Sequence, residues 1–421
     1  MLSISLPSLQ HDLQVHLSWI NWLNNLYAIA IICVIPSTTW FVDRWGSRNV
    51  LIGALFLFAG SSLLCGIIGK PSAILFFRTL QGLGGGLLIP VGQSLVFQYY
   101  PHAERHKVTT AIQIPASIAC AFAPYWGGYL TDHFGWQYCF LFTAVTTFVI
   151  SILSLYLKDT AHRSAKPLDK RGLVFIVGSF LLIFFSINAY TASANFMYFL
   201  CFALGILLLI SFYILSKKNF FSLFDVTLFH SAPFKKGLFV FSLYGLGFNA
   251  FNLVTIFYLQ ESWKMSAHQA GVILLYYAFA QIISMYLYSH YFSQVKKNIL
   301  VTCGCLLFIT AISCYLFGEK TAGVAMISNL LAGAGAGLIG IPMLMLAFSS
   351  VHHEKLTQAS TIWNTNRQFI YALGNSICLL LLSTVSSHLA NNYHVVFLFI
   401  ASLFFINILY VFIFRAELNA L

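Results

Sequence analysis

The 421 residues are 59% apolar, 17% aromatic and only 8% charged, with a net charge of +11 and a mean hydropathy of +0.83. No soluble domain of this length has that balance, and the chain reads as a polytopic membrane protein. The positive charge does not point to nucleic acid, because it follows the loops on one side of the apolar segments.

Residues 1–13 are too short to cross a bilayer alone, and they lack the basic start and cleavage site of a signal peptide. They read as the tail of a helix whose beginning is absent. Thirteen apolar runs follow, at 17–40, 50–69, 72–97, 108–130, 136–157, 172–190, 196–216, 237–260, 267–290, 298–318, 322–349, 359–387 and 393–414. Each holds about 19 or more residues, enough to cross about 30 Å of hydrocarbon as a helix. Nine cysteines lie inside or beside these runs. The closest pair, Cys303 and Cys305, points to different helix faces, so neither a disulfide nor a metal site is expected.

The stretch Phe76–Gln93, FFRTLQGLGGGLLIPVGQ, stands out in the third run. A bare guanidinium in hydrocarbon costs from about 2.5 kcal/mol upward, so Arg78 should face a protein or water-filled interior; the alternative is snorkelling to the interface. Gln81 accompanies it. Gly82, Gly84, Gly85 and Gly86 strip side chains from the helix and allow close approach of a neighbour or substrate. Pro90 removes one backbone bond and invites a kink.

Seventeen of the 22 Lys and Arg fall in alternate loops and the C-terminus, against three (Lys70, Lys264, Lys320) on the other side. That bias puts the C-terminus in the cytoplasm of a multi-pass protein of the inner (plasma) membrane. The other two, Arg78 and Arg367, lie within runs. Gly82–Pro90 (GLGGGLLIP) is echoed by Gly333–Pro342 (GAGAGLIGIP), as in transporters built from repeated halves. The alternative is chance recurrence of small-residue faces. The echo divides the chain into 1–157 and 237–421 as two six-helix halves, the first span truncated, with 172–216 as an inserted helix pair.

Here the chain resembles the major facilitator superfamily, and within it the fourteen-span drug:proton antiporters of the EmrB/QacA type. Asp43-Arg44-Trp45-Gly46-Ser47-Arg48 is similar to the superfamily's D-R-x-G-x-R loop, with Thr39 where a family glycine normally stands. Arg78-Thr79-Leu80-Gln81-Gly82-Leu83-Gly84 is similar to R-x-x-Q-G-x-G, whose arginine the family links to proton or substrate coupling. Ala123-Pro124-Tyr125-Trp126-Gly127-Gly128-Tyr129-Leu130 resembles the antiporter motif G-P-x-x-G-G-x-L. Two more stretches resemble the fourteen-span subgroup, Leu223–Phe229 and Asn364-Thr365-Asn366-Arg367-Gln368. The match fails in the first span, where Met1–Pro7 covers only the end of a motif that carries an acidic residue. The resemblance implies a major facilitator fold, secondary transport by alternating access, and proton-coupled efflux. In a two-membraned host it also implies a periplasmic adaptor.

All eleven acidic residues fall in loops or at span ends, so the chain shows no mid-membrane proton carrier. Asp132 and Glu261 are the only stand-ins, and as exposed carboxylates they read more simply as solvated loop charges. The expected substrate and coupling residues are Arg78, Gln81, Asn24, Gln113, Asn364 and Arg367. The expected conformational residues are Asp43, Arg44, Gly46, Arg48, Gly82, Gly84, Pro90, Pro124, Gly127 and Gly128. Positive charge without a counter-charge favours an amphiphilic, carboxylate-bearing small molecule. For any single Asn or Gln, an interhelical hydrogen bond is the simpler reading. The competing class is a degenerate transporter that serves as a membrane receptor or scaffold. No P-loop, metal cluster or nucleophile–base pair suggests an enzyme, and no cofactor is expected.

Overall fold

A computed structural model describes residues 2–99, 105–157, 169–192, 196–218, 226–292, 295–349, 351, 356–385 and 392–413. The side chains of Asn21, Thr39, Asp43 and Gln113, the stretch Leu223–Asp225 and Arg415 lie outside the described residues. Among the described residues the protein is helical and contains no strand. The helices are α1 (Leu2–Leu13), α2 (Leu17–Val34), α3 (Thr38–Trp45), α4 (Ser47–Ile67), α5 (Pro71–Tyr99), α6 (Arg105–Phe134), α7 (Gln137–Ser154), α8 (Lys170–Ala192), α9 (Phe196–Lys218), α10 (Ala232–Phe257), α11 (Ala267–Leu287), α12 (Lys297–Phe317), α13 (Ala322–Phe348), α14 (Leu356–Val385) and α15 (Asn392–Ile413).

Among the described residues, eleven spans are long and apolar enough to cross a membrane. The more polar α6 and α14, each of 30 residues, bring the number of long segments to thirteen. α1 has 12 residues and rises about 18 Å, roughly half a bilayer. The second span is not straight. Pro36 lacks a backbone donor, and a 3₁₀ turn at Ile35–Ser37 separates α2 from α3. α5, by contrast, continues through Pro90 as one helix.

Lipid offers no hydrophobic drive for helices to associate, so small residues that admit close backbones decide where they meet. A Cβ on Gly82 would lie 2.5 Å from Tyr27 O, and one on Gly86 would lie 2.9 Å from Ile31 Cα, both on α2. A Cβ on Gly84 would lie 2.8 Å from Ala54 O on α4. Positions i and i+4 thus address one neighbour and i+2 the other, which wedges α5 between α2 and α4. The echo repeats this spacing. Gly333 and Gly337 face α11, where added Cβ atoms would sit 3.0 Å from Tyr277 Cα and 2.9 Å from Gln281 O. Gly335 faces α12, 2.6 Å from Gly304 O. α13 is therefore wedged between α11 and α12 as α5 is between α2 and α4.

The rest of the packing follows the same duplication. α4 also packs on α7, and α12 on α15. Two antiparallel crossings join the sets: α2 with α14, and α6 with α11. The hairpin α8–α9 leans on the first of these. Phe180 and Phe184 of α8 hold the Phe369 ring of α14 at centroid distances of 4.6 and 5.7 Å, and Phe185 meets Trp22 of α2 at 6.1 Å. α9 packs on α8 and leaves Phe196, Phe199 and Leu207 exposed.

These contacts predict opposite outcomes for two glycines. Gly333→Ala forces a methyl into the α11 backbone and should lower the melting midpoint and the folded yield in detergent, an overpacking loss of about 1–3 kcal/mol. Gly60, with no atom within 4 Å of its added Cβ, should tolerate alanine or gain up to about 1 kcal/mol. Equal behaviour of the two variants in thermal-shift measurements would contradict the wedge.

Candidate functional site

Arg78 sits near the start of α5, enclosed by three helices. Its guanidinium carbon stands 3.9 Å from the centroid of Tyr27 on α2 and 6.0 Å from that of Phe140 on α7. One turn on, Gln81 accepts a hydrogen bond from Arg78 Nη1 and passes one from its amide to Ser62 Oγ on α4. Gln81 is only 2% exposed. The charge is thus held by a π face and an amide chain, interactions that strengthen as water is excluded.

Two buried donors on α5 and its neighbour α2 have no acceptor among the described residues. They are Arg78 Nε and Nδ2 of Asn24, which lies one turn from Tyr27 on the same face of α2. A buried unsatisfied N–H costs about 1–3 kcal/mol, more when charged. Among the described residues the one ion pair is His11 with Asp12. No carboxylate there answers Arg78.

The second candidate arginine, Arg367, is half-buried on α14. Tyr371 follows it by one turn and Trp363 precedes it by one. Tyr371 belongs to an aromatic cup centred on Phe248, whose ring lies 5.4 Å from Tyr244, 6.0 Å from Tyr277 and 5.4 Å from Tyr371. Asn364 is half-buried on the same helix. Arg78 on α5 stands against the Tyr27 ring, and Arg367 on α14 lies one turn from Tyr371.

Most other amides bind helix to helix. Asn25 Nδ2 donates to Ser376 Oγ at 2.7 Å across the α2–α14 crossing. Asn249 donates to the Tyr371 carbonyl, Asn366 bonds Ser242, and Asn329 donates to Tyr315 Oη.

The conformational residues divide by location. Gly46 joins α3 to α4 at φ 82°, ψ 149°, a conformation essentially reserved for glycine. Arg44 lies over the Trp40 ring at 5.4 Å, and Arg48 donates to the Leu155 carbonyl at the end of α7, where a cation favours the helix dipole. At the opposite end of the bundle, Pro124 and Gly128 of α6 form the crossing with α11, while the Gly127 carbonyl faces Cys139 of α7. A Cβ on Gly128 would sit 2.5 Å from Ala267 O, and one on Gly271 would sit 2.6 Å from Pro124 O. Gly127 O accepts from Thr131 Oγ1 at 2.6 Å.

Neither Tyr27 nor Ser62 is among the site residues expected from the sequence. In the structure one faces the guanidinium and the other anchors its amide partner. The missed signal was the register: Tyr27 opposes Gly82, and Ser62 lies one turn from Phe58, which opposes Gly84. Gln81→Leu should lower the melting midpoint by several degrees, because it leaves Arg78 and Ser62 short of partners at about 1–3 kcal/mol. Ser62→Ala should have a smaller effect. The reverse order in a thermal-shift series would show that the chain does not hold Arg78.

A family model described as Major Facilitator Superfamily matches residues 1–234 and 237–420. The chain is 24% identical over 393 residues to the "Multidrug export protein EmrB" of Haemophilus influenzae, covering 89% of this chain and 75% of that protein. It is 24% identical over 251 residues to the "Putative multidrug resistance protein MdtD" of Pectobacterium atrosepticum, covering 59% of this chain but only 54% of that one. The fold matches the crystal structure of the POT family transporter PepTSo with a TM-score of 0.74 at 13% identity, over 100% of this chain and 95% of that one. These relatives are transporters, not enzymes. The chain belongs to the Major Facilitator Superfamily and is a multi-pass membrane transporter of small molecules.

Proposed function

We propose that this transporter exports amphiphilic, carboxylate-bearing small molecules in exchange for protons. The observation that carries the reading is Arg78, a cation held between helices with an unpartnered Nε, an unpartnered Asn24 amide on the neighbouring helix α2, and no ion-paired carboxylate, all among the described residues. An anionic group satisfies both donors at once, whereas a lone lipophilic cation meets repulsion. Tyr27 and Phe140 offer faces to the apolar body. Arg367 with the Phe248 cup provides a second point of attachment. Gln81 and Ser62 hold Arg78 in place, and Asn364, with Gln113 as the sequence expects, belongs to the proposed polar lining.

Residues 1–157 and 237–421 form the two moving halves, rocking about the α2–α14 and α6–α11 crossings, with 172–216 riding beside them. The basic loops and the C-terminus face the cytoplasm of the inner membrane on the charge bias. Efflux is supported by relatives named for multidrug export and by the antiporter motif at Pro124–Leu130; proton exchange rests on that motif. In a two-membraned host a periplasmic adaptor would receive the exported molecule. The lack of an acidic residue in the middle of any span favours one rival, a transporter-like receptor or scaffold that binds without transport.

The test is accumulation of a fluorescent amphiphilic acid and its uncharged ester in cells with and without the protein. Expression should lower accumulation of the acid, and Arg78→Ala, matched for membrane level, should abolish that effect. Arg78→Lys should restore little, because lysine lacks the planar fork and the stack on Tyr27. Undiminished efflux by Arg78→Ala removes the assignment, and acid binding without efflux by the wild type selects the receptor. In everted vesicles carrying a pH-sensitive dye, adding the acid should dissipate an imposed proton gradient.

A further inference from the structure

Every helix begins with amide donors that have no partner inside the helix. α11 satisfies two of them itself. Ser266 Oγ accepts from the Gln269 amide at 3.2 Å, and Gln269 Oε1 accepts from the Ser266 amide at 3.0 Å. The two between are supplied from another helix. The Ala267 amide donates to Asp132 Oδ1 at 3.1 Å and the His268 amide to Asp132 Oδ2 at 2.7 Å. Asp132 stands at the end of α6, on the far side of the crossing between the two proposed halves.

We propose that Asp132 is a bolt that holds the halves together at the face opposite the basic loops, and so biases the transporter toward the state closed there. The inference adds a gating residue to the transport reading and rests on its two-halves motion. Both carboxylate oxygens are used, and the anion meets the positive end of the α11 dipole. Parting α6 from α11 exposes two amides and one carboxylate to water and gives up both bonds together. The bolt also depends on a narrow gap. The reciprocal approach of Gly128 to Ala267 and of Gly271 to Pro124 brings the backbones close enough for a short Asp side chain to reach. A collar of rings flanks the contact: Tyr125 and Tyr129 lie 5.1 and 6.0 Å from His268, and His133 stacks on Tyr129 at 4.3 Å. Asp132 itself is exposed, so it can exchange these bonds for water when the halves part.

Hydrogen–deuterium exchange of the full chain in lipid nanodiscs tests this without any transport assay, so its failure is distinguishable from failure of the substrate reading. In Asp132→Ala, exchange should rise on both sides of the crossing, in peptides from 120–134 and from 263–275. The rise should be roughly 3- to 30-fold, the range a lost helix cap gives. Asp132→Asn, which keeps one acceptor oxygen but sets an NH2 donor against the second amide, should fall between wild type and Asp132→Ala. Ala267→Pro offers a second route. Proline suits the first helical position and removes one donor to Asp132 while leaving the carboxylate intact. Combined with Asp132→Ala it should add less than it does alone. Wild-type exchange in Asp132→Ala overturns the bolt. So does a rise confined to 263–275, which is a frayed helix with the halves still shut. If Asp132→Ala does not fold, unchanged exchange on 120–134 in Ala267→Pro overturns it instead.

Discussion

The architecture depends on how closely two helices are allowed to approach their neighbours. α5 and α13 each sit between two partners whose backbones or Cβ atoms would lie within about 3 Å of a Cβ placed on the intervening glycines. In hydrocarbon, where apolar side chains gain little by leaving lipid, such proximity concentrates dispersion contacts and excludes alternative registers. The glycines also do the sorting. Gly82 and Gly86 look at α2 while Gly84 looks at α4, and the same alternation at Gly333, Gly335 and Gly337 selects α11 and α12. Because the sequence repeats the spacing and not merely the composition, the two assemblies share one geometry.

That geometry sets the electrical character of the interior. Wedging α5 against α2 brings Arg78 over the ring of Tyr27, and wedging it against α4 brings Gln81 to Ser62. The charge is thereby immobilised but not neutralised. An enclosed cation held by a π face and an amide keeps its attraction for an anion, whereas one locked to a carboxylate would have spent it. The same logic separates Arg78 from the buried asparagines. Asn25, Asn249 and Asn329 have found partners on neighbouring helices and serve cohesion.

Much of this could be read from the residues. The spans follow from the length of the apolar runs, and their ends moved by only a few positions, as at the last two helices, α14 and α15. The repeat was visible in GLGGG and GAGAG. What spacing could not show was which helix each glycine would meet, since one small-residue face serves any neighbour equally well. Arg78 was found because charge in an apolar run is conspicuous. Its holder Ser62 was not, because serines are common in membrane helices and most bond their own preceding turn. Asp132 was visible but undervalued. An exposed carboxylate at a span end reads as solvated unless the helix start it faces is already known, and the Ser266–Gln269 pair was the cue to that start.

The hairpin α8–α9 has a mechanical consequence. Phe369 of α14 is seated between Phe180 and Phe184, while Phe185 of the same helix rests on Trp22 of α2. α8 thus has one shoulder on each side of the α2–α14 seam, which the proposed rocking of the halves would shear. In that motion it would act as a bearing, letting the seam turn about the socket while a long slide would unseat a ring. α9 packs mainly on α8 and exposes much of its remaining apolar surface, so in the proposed cycle it would link that bearing to the bilayer. On the proposed mechanism, the thickness and fluidity of the surrounding membrane would become part of the friction of transport.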